Sequence, residues 1–205
     1  MSDFTAPVPK HILETQKRVT LCVDVFYFDK ITVLITTAKR LNFTTVEVIN
    51  NEDVENTLFP GISKVITAYR SRGFRVVMVE ADRQFAPMKN SLLAMGLVLN
   101  CCSVGEHIPV IEREIRYVKE KLRAAYDALL FSIIPRVMKI ALLKNGVFWI
   151  NIFPRRSSSS RRLCARTIVQ GSMLDYRIHC RVQVGSYCQV NEDRKIINTM
   201  EPRTT

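Results

Sequence analysis

Three acidic residues stand where a carboxylate is costly or conspicuous. Asp24 lies inside the apolar stretch RVTLCVDVFYF, flanked by Val23 and Val25; Asp82 closely follows FRVVMVE; Glu112 sits near the start of the amphipathic stretch PVIEREIRYVKEKLR. A carboxylate buried without a partner costs on the order of several kcal/mol in lost hydration, so Asp24 calls for a nearby cation or an exposed strand edge. Magnesium and similar hard cations prefer carboxylate oxygens and keep several waters, which leaves positions for substrate phosphates. Two such ions activate an attacking oxygen and stabilise a leaving one. Metal-dependent phosphoryl transfer is therefore the chemistry that three convergent acids would serve. Taken singly, each has a plainer explanation: an Arg partner for Asp24, a helix cap for Asp82, an ion pair with Arg116 four residues on for Glu112.

The elements that must position these acids are legible from periodicity. Arg18 to Phe28, Ile31 to Thr37 and Phe43 to Ile49 are rich in β-branched and aromatic residues, with Asp29-Lys30 and Arg40-Leu41-Asn42 as turns, which predicts a three-stranded antiparallel meander. Ile62, Val65, Ile66 and Tyr69 predict a helix over about 62–72, preceded by Pro60-Gly61 and stopped by Gly73. Phe74 to Glu80 follows as a fourth, buried strand. A short helix ending at Gly96, a fifth strand over about Leu97 to Cys101 and a long helix after Pro109 complete a βββαβαβα order. This order places Asp24 in the middle of the first strand, Asp82 just past the fourth and Glu112 on the helix after the fifth.

In the long helix Ile111, Ile115, Val118, Leu122, Ala125 and Leu129 form one apolar stripe, and Glu112, Arg116, Lys119 and Arg123 form the polar stripe beside it. A further apolar helix is expected from Ser132 to Phe153, with Pro135 in its first turn, Gly146 inside and Pro154 at its end. RRSSSSRR, Arg155 to Arg162, reads as an exposed linker. Beyond Leu163 the expectations are a short helix near Thr167 to Val169 and strands around Arg181 to Val190. There is no internal repeat.

A chain of 205 residues with 47% hydrophobic content buries a full core and is not a disordered tail. Its formal charge of +11 favours a polyanionic partner, nucleic acid above an acidic membrane. From Arg113 to Arg166 there are thirteen Lys or Arg against three Asp or Glu, a net +10, so the basic surface belongs to the second half. The Ser-flanked arginines Arg155, Arg156, Arg161 and Arg162 are candidates for sequence-independent phosphate contacts, as are Arg116, Lys119 and Arg123, although a solvated helix face explains the latter equally well. Pro135, Arg136, Lys139 and Lys144 interrupt the apolar stretches before the roughly 20 residues needed to span a bilayer, so no membrane association is expected. Pro7, Pro9 and scattered charges replace the apolar run of a secretory signal, which points to an intracellular protein. Cys22, Cys101, Cys102, Cys164, Cys180 and Cys188 show no CxxC spacing, and His11, His107 and His179 do not join them in a zinc pattern, so reduced, mostly buried thiols are expected.

Four stretches carry a family resemblance: VDVFYFDKITVLIT around Asp24, FTTVEVI, VVMVEADRQF around Asp82, and above all GEHIPVIEREIRYVKEKLR around Glu112. Together they resemble the integrase catalytic core of copia-like long-terminal-repeat retrotransposons, a ribonuclease-H-like, retroviral-type integrase. VFWINIFP and RTIVQGSMLDYRIHCRVQVGSY resemble the region after that core, so the resemblance runs from about Arg18 to Val190. It implies an α/β, ribonuclease-H-like mixed five-stranded sheet flanked by helices, its first three strands antiparallel, with a helical and poorly defined C-terminal extension. The implied organisation is an N-terminal arm (1–17), a catalytic core (18–154), a basic linker (155–162) and the extension (163–205). By the same resemblance Asp24, Asp82 and Glu112 are catalytic and hold Mg2+ or Mn2+. The implied reactions on DNA, with element ends and target as partners, are end-processing by water and strand transfer by a 3′-hydroxyl. A homo-oligomer working in the nucleus is implied as well.

The same residues leave other readings open. The family places a small or amide residue and then an acid before the Phe, whereas Arg83 and Gln84 precede Phe85 here, and an arginine beside the site competes for Asp82. Only twenty-nine residues separate Asp82 from Glu112, a short spacing for the family. The zinc-binding His and Cys module that precedes the core in the family is not in the chain. The alternatives to an active integrase are thus an inactive nucleic-acid-binding relic, a ribonuclease-H-like nuclease that cuts without joining, and a basic domain whose acids are structural.

Overall fold

A computed structural model describes residues 6–50, 53–103, 108–130 and 133–175, together with Arg177 and Ser186. The chain divides into two units, Met1–Leu174 and Asp175–Thr205, and nearly all described residues belong to the first. The strands expected near 181–190 lie outside the described residues, Ser186 apart.

Five strands form the sheet among the described residues: β1 (Arg18–Phe28), β2 (Ile31–Ala38), β3 (Thr44–Ile49), β4 (Arg75–Ala81) and β5 (Val98–Cys101), in the order β3-β2-β1-β4-β5. β1 pairs antiparallel with β2, and β2 with β3, whereas β1 with β4 and β4 with β5 are parallel. This mixed sheet is the one the sequence implies. The first hairpin closes tightly because Asp29 and Lys30 both take positive φ (46° and 62°), the handedness that matches the twist of the flanking strands. Arg40 and Asn42 do the same at the second turn (68° and 52°).

Helices α1 (Lys10–Gln16), α2 (Phe59–Ser71), α3 (Lys89–Ala94), α4 (Pro109–Asp127), α5 (Arg136–Ile152) and α6 (Ala165–Gln170) surround the sheet, with a π-helical turn at Val54–Leu58 and a 3-10 turn at Arg83–Met88. Alternation along the strands builds two cores. Leu21, Val23 and Leu34 pack with Ile62, Ile66 and Tyr69 of α2 and with Ile168 and Val169 of α6. Cys22, Phe26, Val33 and Ile35 pack on the other face with Ile111, Val118 and Leu122 of α4 and with Leu142, Leu143, Val147 and Ile150 of α5. Asp24 falls between Cys22 and Phe26 in this alternation and so belongs to the α4 and α5 face.

Three segments lie outside the sheet and its principal helices. The N-terminal arm contains α1, whose Ile12 is fully buried in the first core. Helix α6 packs into the first core through Ala165, Ile168 and Val169. The Ser-rich segment 155–162 is docked and not a free linker. Ser159 donates from both its backbone N (3.1 Å) and its Oγ (3.0 Å) to the Arg40 carbonyl, and Asn42 Nδ2 donates to Ser157 Oγ (3.3 Å). The left-handed second turn presents that carbonyl, a tertiary partner that local composition does not reveal.

Candidate active site

The parallel pairing of β1 with β4 decides where the two aspartates go. Its last registered pair is Val23 with Ala81, so Asp24 is the next residue of β1 and Asp82 the first residue past the end of β4. Both are partly buried. Asp24 Oδ1 accepts from the Val25 backbone N at 2.7 Å. Asp82 occupies the N-cap place of the 3-10 turn, and its carbonyl accepts from Phe85 N (3.0 Å), yet its carboxylate makes no cap bond. Helix capping therefore does not account for this acid. Arg83 points into solvent, and no ion pair joins it to Asp82.

One step back along both strands the chemistry is different. Cys22 is paired in register with Glu80, its thiol donating to Glu80 Oε2 at 3.7 Å, and Lys39 holds the same carboxylate at 2.6 Å. Burial, reinforced by the Glu80 charge, pushes the Cys22 thiol up to about 12. Glu80 is thus neutralised by a lysine.

Glu112 lies in the first turn of α4, where the helix dipole favours an acid, and it is exposed. Pro109 supplies the preset φ of the first helical residue. Because Ile111, Val118 and Leu122 share a core with Cys22 and Phe26, α4 is docked on the sheet face to which Asp24 belongs. Two turns on from Glu112, Lys119 Nζ lies 5.5 Å from the centroid of the Phe26 ring, a cation–π contact on the same face. The sheet thus sets Asp24 and Asp82 next after one registered pair, and the docking of α4 carries Glu112 and Lys119. Among the described residues, no three His, Cys, Asp or Glu side chains are gathered closely enough to hold a metal ion together.

One charged pair was not anticipated from the sequence. Glu114, two residues after Glu112, is buried, and its carboxylate is held by Arg155 Nη1 and Nη2 at 2.6 and 2.8 Å and by Thr44 Oγ1 at 2.6 Å. Burial works against the Arg155 charge, but the bonds to Glu114 outweigh it and leave the guanidinium more basic than usual. Arg155 also lies 5.0 Å from the Tyr117 ring centroid. Its fork is thus bonded to Glu114. A groove of about 350 Å³ opens beside the pair, with Arg113, Arg116, Tyr117, Glu120 and Ser157 on its walls. The signal available in the sequence was a carboxylate three residues after Ile111 and four before Val118, within the apolar seam. The other basic candidates, Arg116, Arg123, Arg156, Arg161 and Arg162, are exposed, and Lys119 is partly so.

The architecture has a solved counterpart. The crystal structure of the catalytic core domain of BIV integrase superposes with a TM-score of 0.53 over 74% of this chain and 93% of that one, at 16% sequence identity. The fold is that of an integrase catalytic core. In this integrase-core fold the βββαβαβα frame, the mixed sheet and the flanking helices are shared, while the identity is too low to transfer chemistry residue by residue. No family model matches the chain, and no curated protein matches it. Among the described residues no helix is long and apolar enough to cross a membrane.

Proposed function

We propose that the chain is a metal-dependent polynucleotidyl transferase of the integrase type, acting on DNA for a copia-like retrotransposon. The observation that carries this reading is that Asp24 and Asp82 each directly follow the last registered pair, Val23 with Ala81, of the adjacent parallel strands β1 and β4, in an integrase-core fold. Carboxylate oxygens are the donors that Mg2+ and Mn2+ prefer, and one or two of them suffice when water and substrate phosphate complete the shell. Asp24 and Asp82 would hold the ion; Glu112, at the start of α4, is the third acid of the implied set and is not gathered with them here. Bound there, the ion would supply charge neutralisation for an in-line displacement at phosphorus.

The residues of the chain do the rest by positioning. Asp24 is fixed by its backbone bond to Val25 and by a strand paired on both sides. Lys119, held over Phe26, and Arg116 and Arg123 on the same helix present positive charge to the backbone phosphates of a DNA strand. Arg156, Arg161 and Arg162 extend that field on the docked segment. Neither a covalent nucleophile nor a histidine is needed, since water or a DNA 3′-hydroxyl attacks.

The test is incubation of the purified chain with an end-labelled duplex and Mn2+ or Mg2+, followed by sizing of products. Shortened strands report end-processing and longer strands report joining. Asp24→Asn and Asp82→Asn each abolish both products under this reading. Activity that survives in either variant rules the assignment out. A second reading, an inactive DNA-binding relic, draws on the observation that no three ligands are gathered among the described residues. It predicts DNA binding with no response to metal.

A further inference from the structure

Three large aromatic side chains stand outside both cores. Phe148, Trp149 and Phe153 lie at the C-terminal end of α5, and the side chains packed into the two apolar clusters do not include them. Instead they contact one another. Trp149 and Phe153, one helical turn apart, are stacked, with ring centroids 6.1 Å apart and planes 20° from parallel. The Phe148 ring meets Trp149 edge to face at 5.6 Å, and the Arg166 guanidinium lies 4.6 Å from the Phe148 centroid. Phe153, at the other end of the series, is 55% exposed. A single exposed ring is ordinary, but an ordered series of rings that ends at solvent is a surface that a further flat ring can continue.

The surrounding charge decides what that ring belongs to. From Arg136 to Arg166 the chain has eight Lys or Arg and no Asp or Glu. Lys139 and Arg155 are paired with Asp29 and Glu114, while Arg136, Lys144, Arg156, Arg161 and Arg162 are exposed. A second copy of the chain, meeting this face through a two-fold contact, would set the patch against itself, like charge on like. An anionic strand with aromatic bases complements both features at once, its bases continuing the rings and its phosphates meeting the arginines. We infer that Trp149 and Phe153 form a stacking platform for the unpaired bases of single-stranded DNA, with Arg156, three residues beyond Phe153, on the phosphates. That the strand is DNA rests on the function proposed above; the contact itself needs no metal ion.

Trp149 is the chain's single tryptophan, so its emission reports on the platform. The experiment titrates a short oligothymidylate, its duplex with oligoadenylate, and an oligouridylate into the whole chain with a chelator present. Oligothymidylate is expected to quench Trp149, and the duplex, whose base faces are already covered, to leave it bright. Phe153→Ala is expected to weaken oligothymidylate by roughly 5–150-fold, the equivalent of about 1–3 kcal/mol per stacked base. Phe153→Leu, which keeps an apolar side chain at this exposed position but no ring, should weaken it comparably, and Phe153→Tyr should bind as the wild type does. Stacking releases no counterions, so these losses persist at high salt, whereas Arg156→Gln lowers the salt slope. An unquenched Trp149 at saturation, or a Phe153→Leu chain that binds like the wild type, overturns the inference. So does tighter binding of oligouridylate, which would assign the platform to RNA, or a dimer that Phe153→Ala converts to a monomer in sedimentation, which would assign it to a second copy. A chain that binds duplex and single strand alike without quenching loses the platform and keeps the DNA-acting reading; one that binds neither loses both.

Discussion

Asp24 and Asp82, 58 positions apart in the chain, each stand one residue beyond the Val23 and Ala81 register pair, Asp24 within β1 and Asp82 just past the end of β4. Two like charges beyond one registered pair destabilise the strand pairing unless a cation lies between them. Asp82→Asn should therefore raise metal-free stability by about 0.5–1 kcal/mol, read by urea unfolding with a chelator present. A drop of similar size would show that the Asp82 carboxylate makes a stabilising bond of its own.

Tyr69 carries an unneeded polar atom. Its ring fills the first core between Phe43 and Phe74, edge to face at 6.2 and 6.3 Å, and its hydroxyl is buried with no hydrogen-bond partner. A buried unsatisfied polar group costs about 1–3 kcal/mol, so Tyr69→Phe is expected to raise the unfolding free energy by about 1 kcal/mol or more. Equal midpoints in urea for the two proteins would mean that the hydroxyl finds a partner in solution.

Alkaline stability should report on Cys22. Its thiol ionises near 12 in the folded chain against an ordinary 9.0, since burial and the neighbouring Glu80 disfavour the thiolate. A raised folded value leaves its contribution intact below about pH 9 and removes it as pH climbs toward 12, because the unfolded chain releases the proton first. Buried Tyr69, likewise shifted upward by burial, adds to the loss above pH 10. The unfolding free energy should thus fall between pH 8 and 10.5, and fall less in Cys22→Ala. The same slope in both proteins would remove Cys22 as the cause.

Binding to DNA should follow the exposed arginines and not Arg155. Each phosphate contact adds about 0.9 to the slope of log affinity against log salt, so Arg116→Gln with Arg123→Gln should lower that slope by about 2. Arg156→Gln, Arg161→Gln and Arg162→Gln should lower it as well if the docked segment touches the backbone. A slope that none of these changes would place the DNA elsewhere.

The sheet was legible because its information is local. β-branched runs mark β1 to β3, Asp29-Lys30 closes the hairpin where the runs break, and α2 carries Pro60-Gly61 in its first turn, where the sequence reading placed them before it, and stops before Gly73. Asp24 was legible as a misplaced charge, and Asp82 only through the order of the elements that carry it. What stayed hidden depends on partners far along the chain. Glu114 finds Arg155 forty-one residues on, and Ser159 finds the Arg40 carbonyl across 119. A serine run between arginines reads as solvent-facing until a left-handed turn supplies its acceptor. Helix α1 was missed because it carries no side-chain cap and buries Ile12 alone, too little for periodicity to register.

The central claim is that Asp24 and Asp82 together hold a divalent cation, and the most direct measurement is thermal unfolding of the wild type, Asp24→Asn and Asp82→Asn across a Mn2+ titration. Binding to the folded state alone raises its stability by about 2.7 kcal/mol at a hundred times the dissociation constant. The account predicts a melting temperature that climbs with Mn2+ in the wild type and stays flat in both variants. A wild type that does not respond at millimolar Mn2+, or variants that respond as it does, would contradict it.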